Sequence, residues 1–388
     1  MEAAAAHLLN FSQPFDCELL EQLVAIAMDS NHPQRSAANE FLVKIKDHPD
    51  MWRRADAILE QSKQATTKFF GLQVLTEAIN THWKVIPQDQ REGIRSYIVS
   101  KVIALSSSDE LIKSNQSFLS RLNLVLVQIL KQDWPQDWPS FITDIVASSK
   151  TSESLCENNM MVLQLLSEEV FDFSKESMTA SKVKTMKESL NEEFAQIFQL
   201  CTFILEASRK VSLIRCTLQT LQRFLTWIPL GYIFETPLVP SLLSKFLPMP
   251  AYRVFVMDCL IEIASLNPAD IPESYRSQVQ GVLVMFVQVM GSILPTHIDI
   301  QRGYNDGSDE VQLFISKLAL FLGTFLRSFL GFFDTGMGLA NEAEVLGALV
   351  YMLKVSEVDD EEVFKTCLDF WSVFAKDLYT ADIAYKTS

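Results

Sequence analysis

Residues 122–142 read LNLVLVQILKQDWPQDWPSFI. In the first half, Leu122, Val125, Leu126, Ile129 and Leu130 recur at three- and four-residue steps, which sets them on one face of a helix. Gln128, Lys131 and Gln132 are left over for solvent. Two X-Pro steps follow, Trp134-Pro135 and Trp138-Pro139. Proline has no N–H to donate and pushes the residue before it out of the α region, so the helix must end there. Pro139 suits the first turn of a new helix, where an N–H would be unpaired anyway. Ser140, Phe141, Ile142, Ile145 and Val146 then restart the helical pattern. Helix, abrupt Pro/Trp corner, helix is the plan the rest of the chain repeats.

Working outward, the first helix of each pair is A and the second B. The pairs are Glu18–Asp29 with Gln34–Lys46, Asp50–Gln61 with Thr66–Trp83, and Gln88–Leu105 with Asp109–Lys131. Ser107 with Glu110 fits a capping box at the start of that last helix. Pro139–Ser148 with Ser152–Phe171 follows, then a polar connection at Ser174–Ala180. The later pairs are Lys182–Ala207 with Val211–Trp227, Leu238–Phe246 with Tyr252–Ala264, Tyr275–Ile293 with Ser308–Phe332, and Asn341–Val355 with Asp360–Leu378. The segment Pro295–Gly307, containing QRGYNDG, reads as an exposed loop. Pairs recurring at roughly 35 to 50 residues match the period of helical solenoids such as HEAT repeats. An irregular all-α globule is the competing reading, but short connections keep joining long amphipathic helices. The expected fold class is therefore all-α, a solenoid of antiparallel helix pairs.

Composition agrees. The 388 residues are 48% hydrophobic and include only 12 glycines, with little strand-type alternation. The formal net charge is −15 and no dense Lys/Arg run occurs, which argues against a nucleic-acid partner and for a basic protein partner. The six cysteines are scattered without a C-x-x-C pair, as expected of reduced core thiols. The start, MEAAAAHLLNFSQ, lacks the basic region of a signal peptide. Two greasy windows, Val282–Leu294 and Leu318–Phe333, read as buried helices rather than membrane spans.

Catalytic chemistry finds no foothold. His7, His32, His48, His82 and His297 stand alone, without H-E-x-x-H spacing. Gly336-Met337-Gly338 lacks the flanking strand and the third glycine of a phosphate loop, and reads as a helix–helix turn. No G-x-S-x-G or Walker lysine occurs. No catalytic residue, cofactor or metal is expected. Two features suit binding instead. On Thr66–Trp83, Gln73, Glu77, Asn80 and Lys84 lie opposite the apolar stripe, either as a solvated face or as a polar ladder for a partner. The run Glu357, Asp359, Asp360, Glu361, Glu362 sits at a helix start, where the dipole favours carboxylates, and a basic partner would use the same charges. Asp306, Asp309 and Glu310 extend that edge.

Several phrases carry a resemblance: KFFGLQVL (Lys68–Leu75) followed by Trp83, QILKQDWPQDWPSFI (Gln128–Ile142), TSESLCENN (Thr151–Asn159), LLSEEVFDFS (Leu165–Ser174), WIPLGYIFET (Trp227–Thr236) and EVFKTCLDFW (Glu362–Trp371). Together they resemble the export receptors of the importin-β (karyopherin) family. The resemblance implies a HEAT-repeat superhelix that binds Ran-GTP together with cargo bearing a leucine-rich nuclear export signal. It implies a monomeric protein that shuttles between nucleus and cytoplasm through the nuclear pore, contacts nucleoporin Phe-Gly repeats on its A helices, and inserts in no membrane. It places an N-terminal-type module at residues 1–130 and further repeats at 131–388. Ran would meet polar positions of the B helices: Arg35, Asn39, Gln73, Glu77, Asn80, Arg121 and Gln128, with Asp309, Glu310, Asp359 and Asp360 as a second set. The cargo-binding repeats of the family have no counterpart here, so the chain reads as an N-terminal portion that reaches cargo only through repeats it lacks. The competing reading is a HEAT-repeat scaffold with no Ran or transport role.

Overall fold

The computed structural model describes residues 6–171, 179–334 and 339–387. Contacts divide the chain into two compact units, Met1–Gln196 and Ile197–Ser388. Among the described residues there is no strand, only one isolated bridge between Asp334 and Leu339. The fold is all-α, built of antiparallel helix pairs of the HEAT-repeat kind.

In the first unit, α1 (Cys17–Met28) pairs with α2 (Arg35–Lys46), and α3 (Ala55–Gln61) pairs with α4 (Ala65–Thr81). Next, α5 (Gln88–Leu105) pairs with α7 (Gln116–Asp133), which the short α6 (Asp109–Ser114) precedes. Then α8 (Phe141–Ser148) pairs with α9 (Glu153–Phe171). The B helices α2, α4, α7 and α9 pack in chain order, each against the next. Their apolar stripes explain this: α7 buries Leu119, Leu122, Val125, Leu126, Ile129 and Leu130.

A buried polar pair is set into that layer. Asn123 on α7 and Asn158 on α9 exchange amide hydrogen bonds, Asn123 Nδ2 to Asn158 Oδ1 at 2.8 Å and the reverse at 3.2 Å. Each amide thereby satisfies a donor and an acceptor that would otherwise be costly to bury. Asn159 donates to Ile145 O, Ser148 Oγ and Ser149 Oγ, closing the C-terminal end of α8.

In the second unit α11 (Val211–Leu225), α14 (Pro250–Ala264), α17 (Asp309–Phe329) and α19 (Glu361–Thr387) form the corresponding B layer. The helix α10 (Ala180–Ala207) contains the unit boundary. The short α12 (Leu230–Phe234) and α13 (Leu238–Ser241), the latter continuing into a π turn at Leu242–Phe246, lead to α14. The A helices α15 (Arg276–Ile293) and α18 (Glu342–Val355) pack on one another. Residues Asp309–Phe333 are apolar and long enough to cross a bilayer by length and composition. Here Phe314, Leu318, Phe321, Leu322, Phe325 and Phe329 are buried and α17 packs against α14, α18 and α19, as a core helix does.

Four expectations need correction. Lys131 does not face solvent: it is buried and its Nζ pairs with Glu169 of α9 at 2.7 Å. The cap of α6 is Ser108, whose Oγ accepts from Leu111 N, while Ser107 Oγ donates to Ala104 O within α5. The helix expected from Asp109 to Lys131 is broken at Asn115 into α6 and α7. Pro295–Gly307 is not wholly loop: Asp299 caps the short helix α16 (Ile300–Asn305), and Ile300 is buried. The polar connection expected at Ser174–Ala180 lies mostly, and the turn at Gly336-Met337-Gly338 wholly, outside the described residues.

Candidate protein-binding surface

The Pro/Trp corner ties the end of α7 to α5 and to the turn after α4. Asp133 ends α7 and is buried. Trp83, in the turn after α4, donates its indole N–H to Asp133 Oδ1 at 2.6 Å. Arg91 and Arg95, one turn apart on α5, approach the same carboxylate at 3.6 and 3.8 Å. Arg91 also meets Asp137 at 3.2 Å, and the Arg95 guanidinium lies 4.8 Å over the Trp138 ring. Burial pushes the Asp133 carboxyl up; the Trp83 hydrogen bond and the two arginines pull it partly back. The Trp134–Pro135 peptide is cis and Trp134 is fully buried. Sequence reading placed this corner but missed its partners Trp83, Arg91 and Arg95, which lie 38 to 50 residues before Asp133.

The first candidate set lies on three successive B helices. Arg35 and Asn39 are exposed on α2; Gln73 and Asn80 are exposed and Glu77 half-buried on α4; Arg121 is exposed and Gln128 half-buried on α7. On α4 these polar positions sit opposite Val74, Leu75, Ala78 and Ile79, which are buried. The stripes of α2 and α4 are joined by an ion pair between Lys46 Nζ and Glu77 at 3.7 Å. Arg35 is partly committed: its Nε donates to Ala27 O at the end of α1, 3.2 Å away. What remains is a mixed-charge, hydrogen-bonding stripe across three helices, suited to a folded protein surface.

The second set lies in the other unit. Asp309 and Glu310 are exposed in the first turn of α17, and Asp359 is exposed just before α19. Asp360 serves locally, accepting from Glu362 N and Val363 N at 3.0 Å each. Those N–H groups and the Tyr304 hydroxyl hold its carboxyl below the usual range. Lys365 pairs with Glu361 and Glu362, so part of the acidic run is already balanced.

Among the described residues no group of three or more His, Cys, Asp or Glu side chains is placed to share a metal ion. All six cysteines are buried thiols. A cavity of about 420 Å³ opens between the A helices α3 and α5, its wall mixing Trp52, Leu75, Ile94 and Tyr97 with the charged Arg53 and Asp56.

Three family models match this chain. The one described as Importin-beta N-terminal domain matches residues 38–104, Exportin 1-like protein matches 115–260, and Chromosome region maintenance or exportin repeat matches 344–379. Exportin-1 of Drosophila melanogaster is 43% identical over 387 residues, or 99% of the chain. Protein EXPORTIN 1B of Arabidopsis thaliana and Exportin-1 of Schizosaccharomyces pombe are each 43% identical, over 97% and 96% of the chain. The chain belongs to the exportin family. It spans 34–35% of the length of these exportins. The stretch matched as Importin-beta N-terminal domain runs from α2 to α5 and so holds the Gln73–Asn80 stripe. The exportin 1-like match begins at the junction of α6 and α7 and contains the Asp133 corner.

Proposed function

We propose that this chain is the Ran-binding portion of a nuclear export receptor, and that the polar stripe across α2, α4 and α7 takes GTP-loaded Ran. The observation that carries this reading is identity of 43% to an exportin over 99% of the chain, with exposed polar side chains aligned on adjoining B helices of the module that matches the importin-β family. The chain performs no chemistry in this reading; hydrolysis on Ran ends the complex. Ran binding cooperates with that of cargo carrying a leucine-rich nuclear export signal. The exposed carboxylates Asp309, Glu310 and Asp359 give a second Ran contact, with Asp360 beside them. Nucleoporin Phe-Gly repeats dock on the A-helix side, where the aromatic-lined cavity between α3 and α5 has room for a phenyl ring. The monomer shuttles between nucleus and cytoplasm by way of the pore, with residues 1–130 as the N-terminal module.

The test is a pull-down of the chain with Ran held in its GTP and GDP forms. The GTP form is retained and the GDP form is not; Gln73→Ala with Asn80→Ala weakens retention while the melting temperature stays put. Equal or absent binding of both forms overturns the nucleotide-sensing role. If binding barely weakens between low and physiological salt, the carboxylate edge is not a major contributor.

A further inference from the structure

At the end of the first unit's layer where α4 and α7 begin, a cavity of about 540 Å³ lies between the B helices and the A helices α3 and α5. Lys63, Lys68, Lys101 and Lys113 line it, and no carboxylate does. In a chain of net charge −15, four lysines in the wall of one hollow with no carboxylate in that wall make a local positive patch. Lys101 is answered from outside by Glu60 at 2.6 Å. The helices α4 and α7 both start at the cavity, at Ala65 and Gln116, and neither N-cap side chain bonds the first-turn N–H groups. Phe69 and Phe118, 6.3 Å apart between ring centroids, make an apolar wall beside the lysines. None of these residues belongs to the stripe assigned to Ran.

We propose that this cavity receives a peptide segment of a partner protein that presents an anionic side chain next to an aromatic or aliphatic one. The lysines and the uncapped helix starts answer the anion, and Phe69 with Phe118 answers the apolar group. A peptide is favoured over a free phosphate because half of the recognition is apolar and because no glycine-rich loop folds round an anion here. Glutamate and phosphoserine are two sources of the same chemistry.

The test is fluorescence anisotropy of the full chain with labelled peptides that differ at one position, Glu, phosphoserine or Ser, beside an invariant Phe. The Glu or the phosphoserine peptide binds at least about tenfold more tightly than the Ser peptide, and more weakly as salt rises. The variant K63Q/K68Q/K113Q loses that preference, whereas K44Q/K150Q, which removes two exposed positive charges elsewhere, keeps it. Should the triple variant melt early, the single Lys113→Glu change on an exposed side chain supplies the same comparison. Equal affinity for the charged and Ser peptides, or unchanged affinity in the lysine variants, overturns the proposal. So does displacement of the peptide by inorganic phosphate alone at similar affinity, which would make the cavity a simple anion site.

Discussion

Asp133 has one close hydrogen bond, from the Trp83 indole, and two arginines at ion-pair distance but beyond hydrogen-bond reach. Removing the carboxylate leaves a buried indole N–H and two half-buried guanidinium groups without their shared acceptor. Asp133→Ala should therefore lower the unfolding free energy by about 3–5 kcal/mol in urea titrations, with Asp133→Asn losing less because it keeps an acceptor for Trp83. The pH response tests the same site. Glu60 is held low by Lys101 and Tyr97, Glu21 by Ser62 and the N–H groups of Lys63 and Gln64, and Asp360 by its cap contacts. The unfolded chain takes up protons at those positions first, so their stabilisation is present above the ordinary carboxylate range and is lost as pH falls. Asp133 runs the opposite way: its raised carboxyl holds a proton longer when folded, so its contribution shrinks as pH rises through the window above the ordinary value. The melting temperature should fall on acidification below about pH 5. The Asp133→Asn variant, lacking the opposing proton uptake, should fall more steeply.

Two glycines separate packing from propensity among the helices. A Cβ on Gly71, in α4, would come 2.9 Å from Ile58 Cγ2 and 3.3 Å from Ile58 Cβ of α3, too near the backbone for the isoleucine to swing aside. A Cβ on Gly281, in α15, meets nothing within 4 Å. Gly71→Ala should destabilise by about 1–3 kcal/mol by prising α3 from α4, whereas Gly281→Ala should stabilise by about 0.5–1 kcal/mol through helix propensity, both read by chemical denaturation. The same contrast separates what the sequence makes legible from what only packing decides. The bounds of α5, Gln88–Leu105, follow from Pro87 before it and the serines after it, because helix ends are local chemistry. So do the corner after α7 and the positions of Gln73, Glu77 and Asn80 on their helix. Lys131 reads as a solvent-facing residue because its partner Glu169 is 38 residues away and nothing near Lys131 signals it. The Asn123–Asn158 pair, the arginines at Asp133 and the Lys46–Glu77 bridge were invisible for the same reason. The short α16 escaped because Gly303 and Asp306 look like turn residues, while its anchor is the single buried Ile300.

Across the whole chain, polar surface is not evenly spread. Leu346, Val350 and Leu353 on α18 and Phe364 and Leu368 on α19 are exposed, each between 41% and 56%. Apolar side chains gathered on adjoining helices bind dyes and other chains. Leu353→Gln with Leu368→Gln should reduce fluorescence of an apolar dye and raise the concentration at which light scattering begins, without lowering the melting temperature. The reciprocal amides of Asn123 and Asn158 have a different reach. Sliding α7 past α9 by one turn would leave both amides dry and unmatched, so the two rods have one notch in which they rest. Neighbouring aliphatic contacts would tolerate creep; this pair turns it into a click, and a pull along the chain would have to break both bonds together before either helix yielded.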